Sequence, residues 1–133
     1  MIEVRNIIKS FEGKEILHDI STTFYAGKTN LIIGQSGSGK TVLMKSIVGL
    51  LRPDSGEILY DGRDFLKYNQ HELKDLRAEI GMLFQGSALF DSMTVLENVM
   101  FPLLMFTKQS LAERKKRAEF CLERVNLKGA DNL

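Results

Sequence analysis

The sequence predicts an α/β fold, on three observations. Apolar and polar residues alternate with a period of two through much of the first third, as in half-buried strands. A continuous apolar run, Leu31-Ile32-Ile33, leads into a loop rich in Gly and Ser and then into apolar residues at helical spacing. From residue 87 onward the pattern is helical, with two capping-box signatures. The predicted order is a run of strands, a strand–loop–helix unit and a run of helices.

Ile2 and Val4 alternate with Glu3 and Arg5, and Gly13-Lys14 marks a turn. The next strand places Ile16, Ile20 and Phe24 on one face and Asp19, Ser21 and Thr23 on the other. Ala26-Gly27 breaks it. The run 31–33 reads as a strand buried on both faces. Leu43, Met44, Ile47, Val48 and Leu51 then repeat at three and four residues, and Gly49 and Pro53 stop that helix. Asp54-Ser55-Gly56 and Asp61-Gly62 are turns flanking a short strand at 57–60. A polar helix over about 69–79 and an apolar strand at 80–84 follow.

In the helical part, Thr94 with Glu97 and Ser110 with Glu113 are N-cap pairs. Pro102 is expected to end or kink the first helix. On the second, Leu111, Ala118, Leu122 and Val125 form one stripe. The basic run from Arg114 to Arg117 reads as a solvated face, because no aromatic residues interleave it to stack bases.

Composition narrows the function classes. The chain has 133 residues, 44% apolar and 26% charged, as in a globular domain. Eighteen basic against seventeen acidic residues leave a net charge of +1, so no nucleic-acid partner is expected. Cys121 is the single cysteine, which excludes a disulfide within the chain. No apolar run approaches the roughly 18 residues a membrane helix needs. Glu3 and Arg5 interrupt the first apolar stretch, so no signal peptide is read at the start. A membrane role is expected to run through a partner. His18 and His71 read as structural.

Gly34-Gln35-Ser36-Gly37-Ser38-Gly39-Lys40-Thr41 matches G-x-x-x-x-G-K-[ST], the phosphate loop of a P-loop NTPase. Gly34, Gly37 and Gly39 let backbone N–H groups approach a polyphosphate without obstruction by a Cβ atom. The helix that follows points its positive end into the loop. Lys40 places a point charge against the β- and γ-phosphates, and the Thr41 hydroxyl is a hard oxygen ligand for Mg²⁺.

With these motifs in place the sequence resembles the N-terminal portion of the nucleotide-binding subunit of an ABC transporter. The resemblance implies ATP and Mg²⁺ as cofactors. It implies a partial RecA-like core at 31–56 and 63–86, an N-terminal antiparallel β subdomain at 1–30 and 57–62, and the start of an α-helical subdomain at 87–133. The binding set it implies is Phe11, stacking on adenine, with Gly34, Gln35, Ser36, Gly37, Ser38, Gly39, Lys40, Thr41 and Val42. Leu51-Arg52-Pro53-Asp54-Ser55-Gly56-Glu57-Ile58 matches the family segment after the phosphate-loop helix. Gly81-Met82-Leu83-Phe84-Gln85 resembles the strand into the glutamine loop, where Gln85 would reach Mg²⁺ and the attacking water as a catalytic residue. The stretch from Ser87 through Val99 to Phe101-Pro102-Leu103 is similar to the ATPases of lipid-asymmetry and mammalian-cell-entry phospholipid transport systems.

The resemblance further implies a second ATP-binding subunit in a homodimer and a permease docked through about residues 85–106. It places the protein in the cytoplasm, peripheral on the inner face of the membrane. The 133 residues contain neither a Leu-Ser-Gly-Gly-Gln signature nor four apolar residues followed by Asp-Glu. Leu59-Tyr60-Asp61 and Leu89-Phe90-Asp91 are the nearest imitations. The expectation is therefore the front half of an ATPase, inactive alone and prone to self-association. Two alternatives stay open: a non-catalytic nucleotide-binding module, or another P-loop NTPase or kinase. A GTPase is disfavoured because no Asn/Thr-Lys-x-Asp guanine reader is present.

Overall fold

β1 (Ile2–Phe11) and β2 (Lys14–Phe24) form a long antiparallel hairpin. Its two-residue turn, Glu12-Gly13, has positive φ at both positions, 48° and 79°. That geometry matches the right-handed twist of the strands it joins. The computed structural model describes residues 1–86 and 88–133; Ser87, the first residue of the lipid-transport resemblance, lies outside them. The chain forms two compact units, Met1–Gly81 and Met82–Leu133.

In the first unit β3 (Ser55–Tyr60) pairs with the other edge of β1, and β4 (Arg63–Asp64) pairs with β3. The sheet is antiparallel throughout, in the order β2-β1-β3-β4. Asp61-Gly62 is the second two-residue turn, as predicted, and Asp61 also holds the N-terminal amine at 2.7 Å.

Two facing bulges govern which residues reach the core. Asn6 and Asp19 both have positive φ, 50° and 49°, and the register shifts between Val4 and Ile7. Asn6 Nδ2 donates to Asp19 Oδ1 at 2.8 Å, and the Asn6 N–H donates to Ser21 Oγ at 2.9 Å. The extra residue lets Val4 and Ile7, three apart, both be buried. On β2 it corrects the alternation read from the sequence: Leu17 is the fully inward residue, while Ile16, Ile20 and Phe24 are only partly covered.

The core joins Val4, Ile7, Leu17 and Ile58 of the sheet to Leu43 and Ile47 of α1 (Lys40–Ile47) and to Phe65. Phe65 opens a 3₁₀ turn, Phe65–Lys67, capped by the Asp64 carboxylate. α2 (Gln70–Ala78) follows, with Asn69 and Glu72 forming a reciprocal capping box. The predicted polar helix is therefore present.

Two predicted strands are not. Leu31 and Ile33 are 79% and 85% exposed, and Leu83 is 98% exposed. Neither 31–33 nor 80–84 is strand. A strand exists only through its pairing, and the sheet β2-β1-β3-β4 includes neither segment.

In the second unit α3 (Val95–Phe106) and α4 (Leu111–Arg124) pack together. Both predicted capping boxes form: Glu97 accepts from the Thr94 N–H and Glu113 from the Ser110 N–H, each at 2.7 Å. α3 runs through Pro102 to Phe106, so of the two expected outcomes, an end or a kink, the helix does not end there. Pro102 removes only the bond to the Asn98 carbonyl, and Thr107 closes the helix end by donating twice to the Leu103 carbonyl. On α4 only Ala118 and Leu122 of the predicted stripe are buried; Leu111 and Val125 are exposed. Lys115, Lys116 and Arg117 are solvated, as read. Among the described residues no helix is long and apolar enough to cross a membrane.

Candidate phosphate-binding site

The loop at 34–41 lies in the first unit, between an extended segment and α1. Gly39 is the N-cap of α1 at φ 93°, a left-handed conformation that a side chain resists. It also sits against β2: a Cβ there would fall 3.1–3.2 Å from Leu17 Cδ2, Ile16 Cγ2 and the Ile16 carbonyl oxygen. The hairpin thus forms the wall on which the loop rests. Gly37, at φ 78°, makes the turn, and a Cβ on Gly34 would come within 2.6 Å of Ser38 Oγ.

Lys40 closes the loop from inside. Its Nζ donates to the carbonyl oxygens of Gly34 at 2.6 Å and Gln35 at 2.7 Å. The ammonium is therefore anchored to the backbone that curves around it. The first turn of α1 contains no acidic residue. The N–H groups of Lys40, Thr41 and Val42 have no intrahelical acceptor, since the ladder begins with Leu43 donating to Gly39 at 2.9 Å. Ser38 donates back to the Gln35 carbonyl at 3.2 Å. The Thr41 side chain is exposed at this helix end. Free N–H donors, a helix N-terminus and one ammonium in a glycine-lined curve make an anion receptor.

The far end of α1 is held as firmly. Gly49 turns left-handed at φ 72°, and Leu50 donates to the Lys45 carbonyl at 2.8 Å. The Arg77 guanidinium donates to the Gly49 carbonyl, placing a cation at the negative end of the helix.

Phe11 is the last residue of β1, opposite Lys14, and is 43% exposed. The same hairpin carries Ile16 and Leu17, against which Gly39 packs. Lys14 stands two to three residues from that contact, about 7–10 Å along the strand. Loop and aromatic are thus set along one hairpin. Gln85 is an exposed residue of the second unit.

Sequence reasoning gave Asp54 no role of its own, reading it as part of a turn and of the family-like segment 51–58. Its carboxylate accepts from Lys9 Nζ at 2.8 Å and from the Ser10 N–H at 2.6 Å. Those bonds hold the carboxyl below the usual carboxylate range, Lys9 contributing most. The visible signal was Gly56, two residues on, with φ 98°: a Cβ there would lie 2.5 Å from the Arg5 and Asn6 carbonyl oxygens. A glycine forced by such proximity shows that the segment crosses the β1 bulge closely.

Comparison with known proteins bears on this geometry. The ABC transporter family model matches residues 17–133. The probable ribonucleotide transport ATP-binding protein mkl of Mycobacterium leprae (strain TN) is 40% identical over 128 residues, covering 96% of this chain and 36% of the relative. The intermembrane phospholipid transport system ATP-binding protein MlaF of Haemophilus influenzae is 38% identical over 130 residues, covering 98% and 49%. Relatives named for methionine import and for spermidine/putrescine import also match most of the chain. The solved ATP-binding cassette MJ0796, a dimer in a post-hydrolysis state with ADP and phosphate, superposes with a TM-score of 0.86. Its identity is 31%, and the match covers 99% of this chain and 60% of that one. The chain spans about a third to a half of the length of these curated relatives.

Proposed function

Because the chain belongs to the ABC transporter family, we propose that it supplies the nucleotide-binding front portion of a transport ATPase. The observation that carries this reading is the glycine-lined curve at the N-terminus of α1, closed by Lys40 on the Gly34 and Gln35 carbonyls. In this reading Gly34, Gln35, Ser36, Gly37, Ser38, Gly39, Thr41 and Val42 line the phosphates. Lys40 leaves its carbonyl partners for the β- and γ-phosphates. Phe11 stacks on adenine. Thr41 would supply an oxygen ligand to Mg²⁺, which would neutralise phosphate charge, and the family resemblance implies contacts with the metal and the attacking water for Gln85.

The exposed Leu89 and Phe90, with Leu104, Met105 and Phe106 at the end of α3, support permease docking through about residues 85–106. This would hold the protein at the cytoplasmic face of the membrane, as one of two ATP-binding subunits. The division into a β subdomain (1–30, 57–62), a phosphate-loop core (31–56, 63–86) and a helical part (87–133) belongs to the same reading. Exposed Leu31 and Ile33 support self-association of the 133-residue chain. Similarity to a phospholipid transport protein supports a lipid cargo; relatives named for ribonucleotide, methionine and polyamine transport support other cargoes equally. Which lipid or solute co-purifies with the assembled transporter decides among them.

The test of the site is a nucleotide titration of the chain and its Lys40→Ala variant with Mg·ATP. Sharply weaker binding by the variant is expected. An unchanged Kd overturns the assignment.

A further inference from the structure

Three hydrogen bonds from Asp54 converge on the last residues of β1. Its Oδ1 accepts from Lys9 Nζ at 2.8 Å, its Oδ2 accepts from the Ser10 N–H at 2.6 Å, and its own N–H donates to the Ile8 carbonyl at 2.8 Å. Ile8, Lys9 and Ser10 are the three residues before Phe11. The Lys9 ammonium also lies over the Phe11 ring, 5.3 Å from its centroid. The Lys9 side chain is only 15% exposed, far less than a free surface lysine, so its position is set by these partners.

The arrangement solves a problem specific to a strand end. Phe11 sits at the turn, where its backbone has no further strand beyond it and its ring is partly in solvent. Such a ring would sample several rotamers, and a ligand stacking on it would have to select one. A cation over one face favours the rotamer that keeps it there, since the ring's negative face attracts it. The opposite face is then the one offered to a ligand. An ammonium without a counter-charge would be drawn away into water; the Asp54 carboxylate keeps it at the ring.

We propose that Asp54 is a positioning residue for an aromatic nucleotide base, acting through Lys9 and the Ser10 backbone to hold the Phe11 ring ready for stacking. The inference rests on the reading of Phe11 as the stacking residue. Asp54 itself touches no ligand.

The test separates base from phosphate. Affinities for Mg·ATP and for inorganic Mg·tripolyphosphate are measured on the 133-residue chain and its Phe11→Ala, Asp54→Ala and Lys9→Met variants, with folding checked by circular dichroism. Lys9→Met breaks the link to the ring while leaving the Ser10 bond to Asp54 in place, and so serves if Asp54→Ala fails to fold. Phe11→Ala is expected to weaken ATP binding about tenfold, in line with the loss of one base stack. Asp54→Ala and Lys9→Met should weaken it severalfold, all three leaving tripolyphosphate affinity unchanged. Adding Asp54→Ala to Phe11→Ala should weaken ATP no further. Asp54→Ala and Lys9→Met with full ATP affinity beside a weakened Phe11→Ala overturns the proposal alone. Equal losses for ATP and tripolyphosphate reduce Asp54 to a support of the fold and also overturn it. Phe11→Ala with full ATP affinity removes the stacking reading itself, and the proposal with it.

Discussion

The Tyr60 hydroxyl donates to the Ile47 carbonyl at 2.6 Å, tying β3 to the last turn of the helix that carries the phosphate loop. The ring is fixed independently, edge-on to Phe65 with centroids 5.5 Å apart. Tyr60→Phe keeps that packing and removes the donor, so it isolates the hydrogen bond. The expected loss is about 1 kcal/mol in urea unfolding. Burial also pushes the phenol up to about 12 from 10.0. Between those values the unfolded chain releases a proton that the folded chain retains, so stability falls as pH rises from 10 towards 12. The Phe variant should lack that component of the alkaline loss; an identical alkaline profile would show that Tyr60 is not its source.

Gly56 and Gly13 both have positive φ, yet substitutions there should differ. A Cβ on Gly13 meets nothing within 4 Å, so Gly13→Ala carries only the left-handed backbone cost, about 1 kcal/mol. A Cβ on Gly56 would press on the Arg5 and Asn6 backbone at 2.5 Å. Overpacking against a backbone adds about 1–3 kcal/mol. Thermal unfolding of the two variants side by side checks this, and equal shifts in Tm would refute the close approach.

These glycines also show where sequence reading stops. The phosphate loop, the Asp61-Gly62 turn and the capping boxes of α3 and α4 were legible because each is fixed by residues within about eight positions of one another; the equally local Asn69–Glu72 box of α2 was not read. The bulge pairing Asn6 with Asp19 was not, because both residues look polar and ordinary until the strands face each other. That one pairing decides that Leu17 turns inward. The runs at 31–33 and 80–84 have strand composition, but pairing is not a local property. Asp54 read as a turn residue because its partners lie more than forty positions away. Leu111 and Val125 have helical spacing with the buried Ala118 and Leu122, yet stand near opposite ends of α4, where packing fails to reach them.

The capping boxes predict an acid response. Hydrogen bonds from Thr94 and from Ser110, backbone first, lower the carboxyls of Glu97 and Glu113 below their ordinary 4.5. A lowered folded-state value means the stabilising contribution is present above 4.5 and is lost as pH falls through the lower value. Helicity should therefore decline on acidification below about 4.5. Thr94→Ala and Ser110→Ala should each cost about 1 kcal/mol at neutral pH. Far-ultraviolet circular dichroism against pH reads both; caps whose removal leaves the acid midpoint in place are not its origin.

Hydrolysis by the 133-residue chain alone is expected to stay near background. Phosphoryl transfer to water needs the phosphates held, Mg²⁺ held, the water positioned and the developing charge neutralised. Within these residues the reading above assigns the first to Gly37, Gly39 and Lys40, part of the second to Thr41 and part of the third to Gln85. The 133 residues include no apolar run ending in Asp-Glu that would complete the metal and water sites, and no Leu-Ser-Gly-Gly-Gln segment that would close over a γ-phosphate. Charge-stabilising groups of this kind are each worth roughly 10²- to 10³-fold in rate. The absence of two multiplies to about 10⁴ or more, enough to bring a turnover of several per second down to one that a routine assay barely registers. Binding is expected to survive, because in that reading it depends on the glycine curve and the α1 terminus, both of which lie within the first unit. Phosphate release from the purified chain with Mg·ATP is the measurement, with Lys40→Ala as the control for contaminating ATPase. Lys40-dependent release near one per second would mean that a carboxylate elsewhere in these residues completes the site.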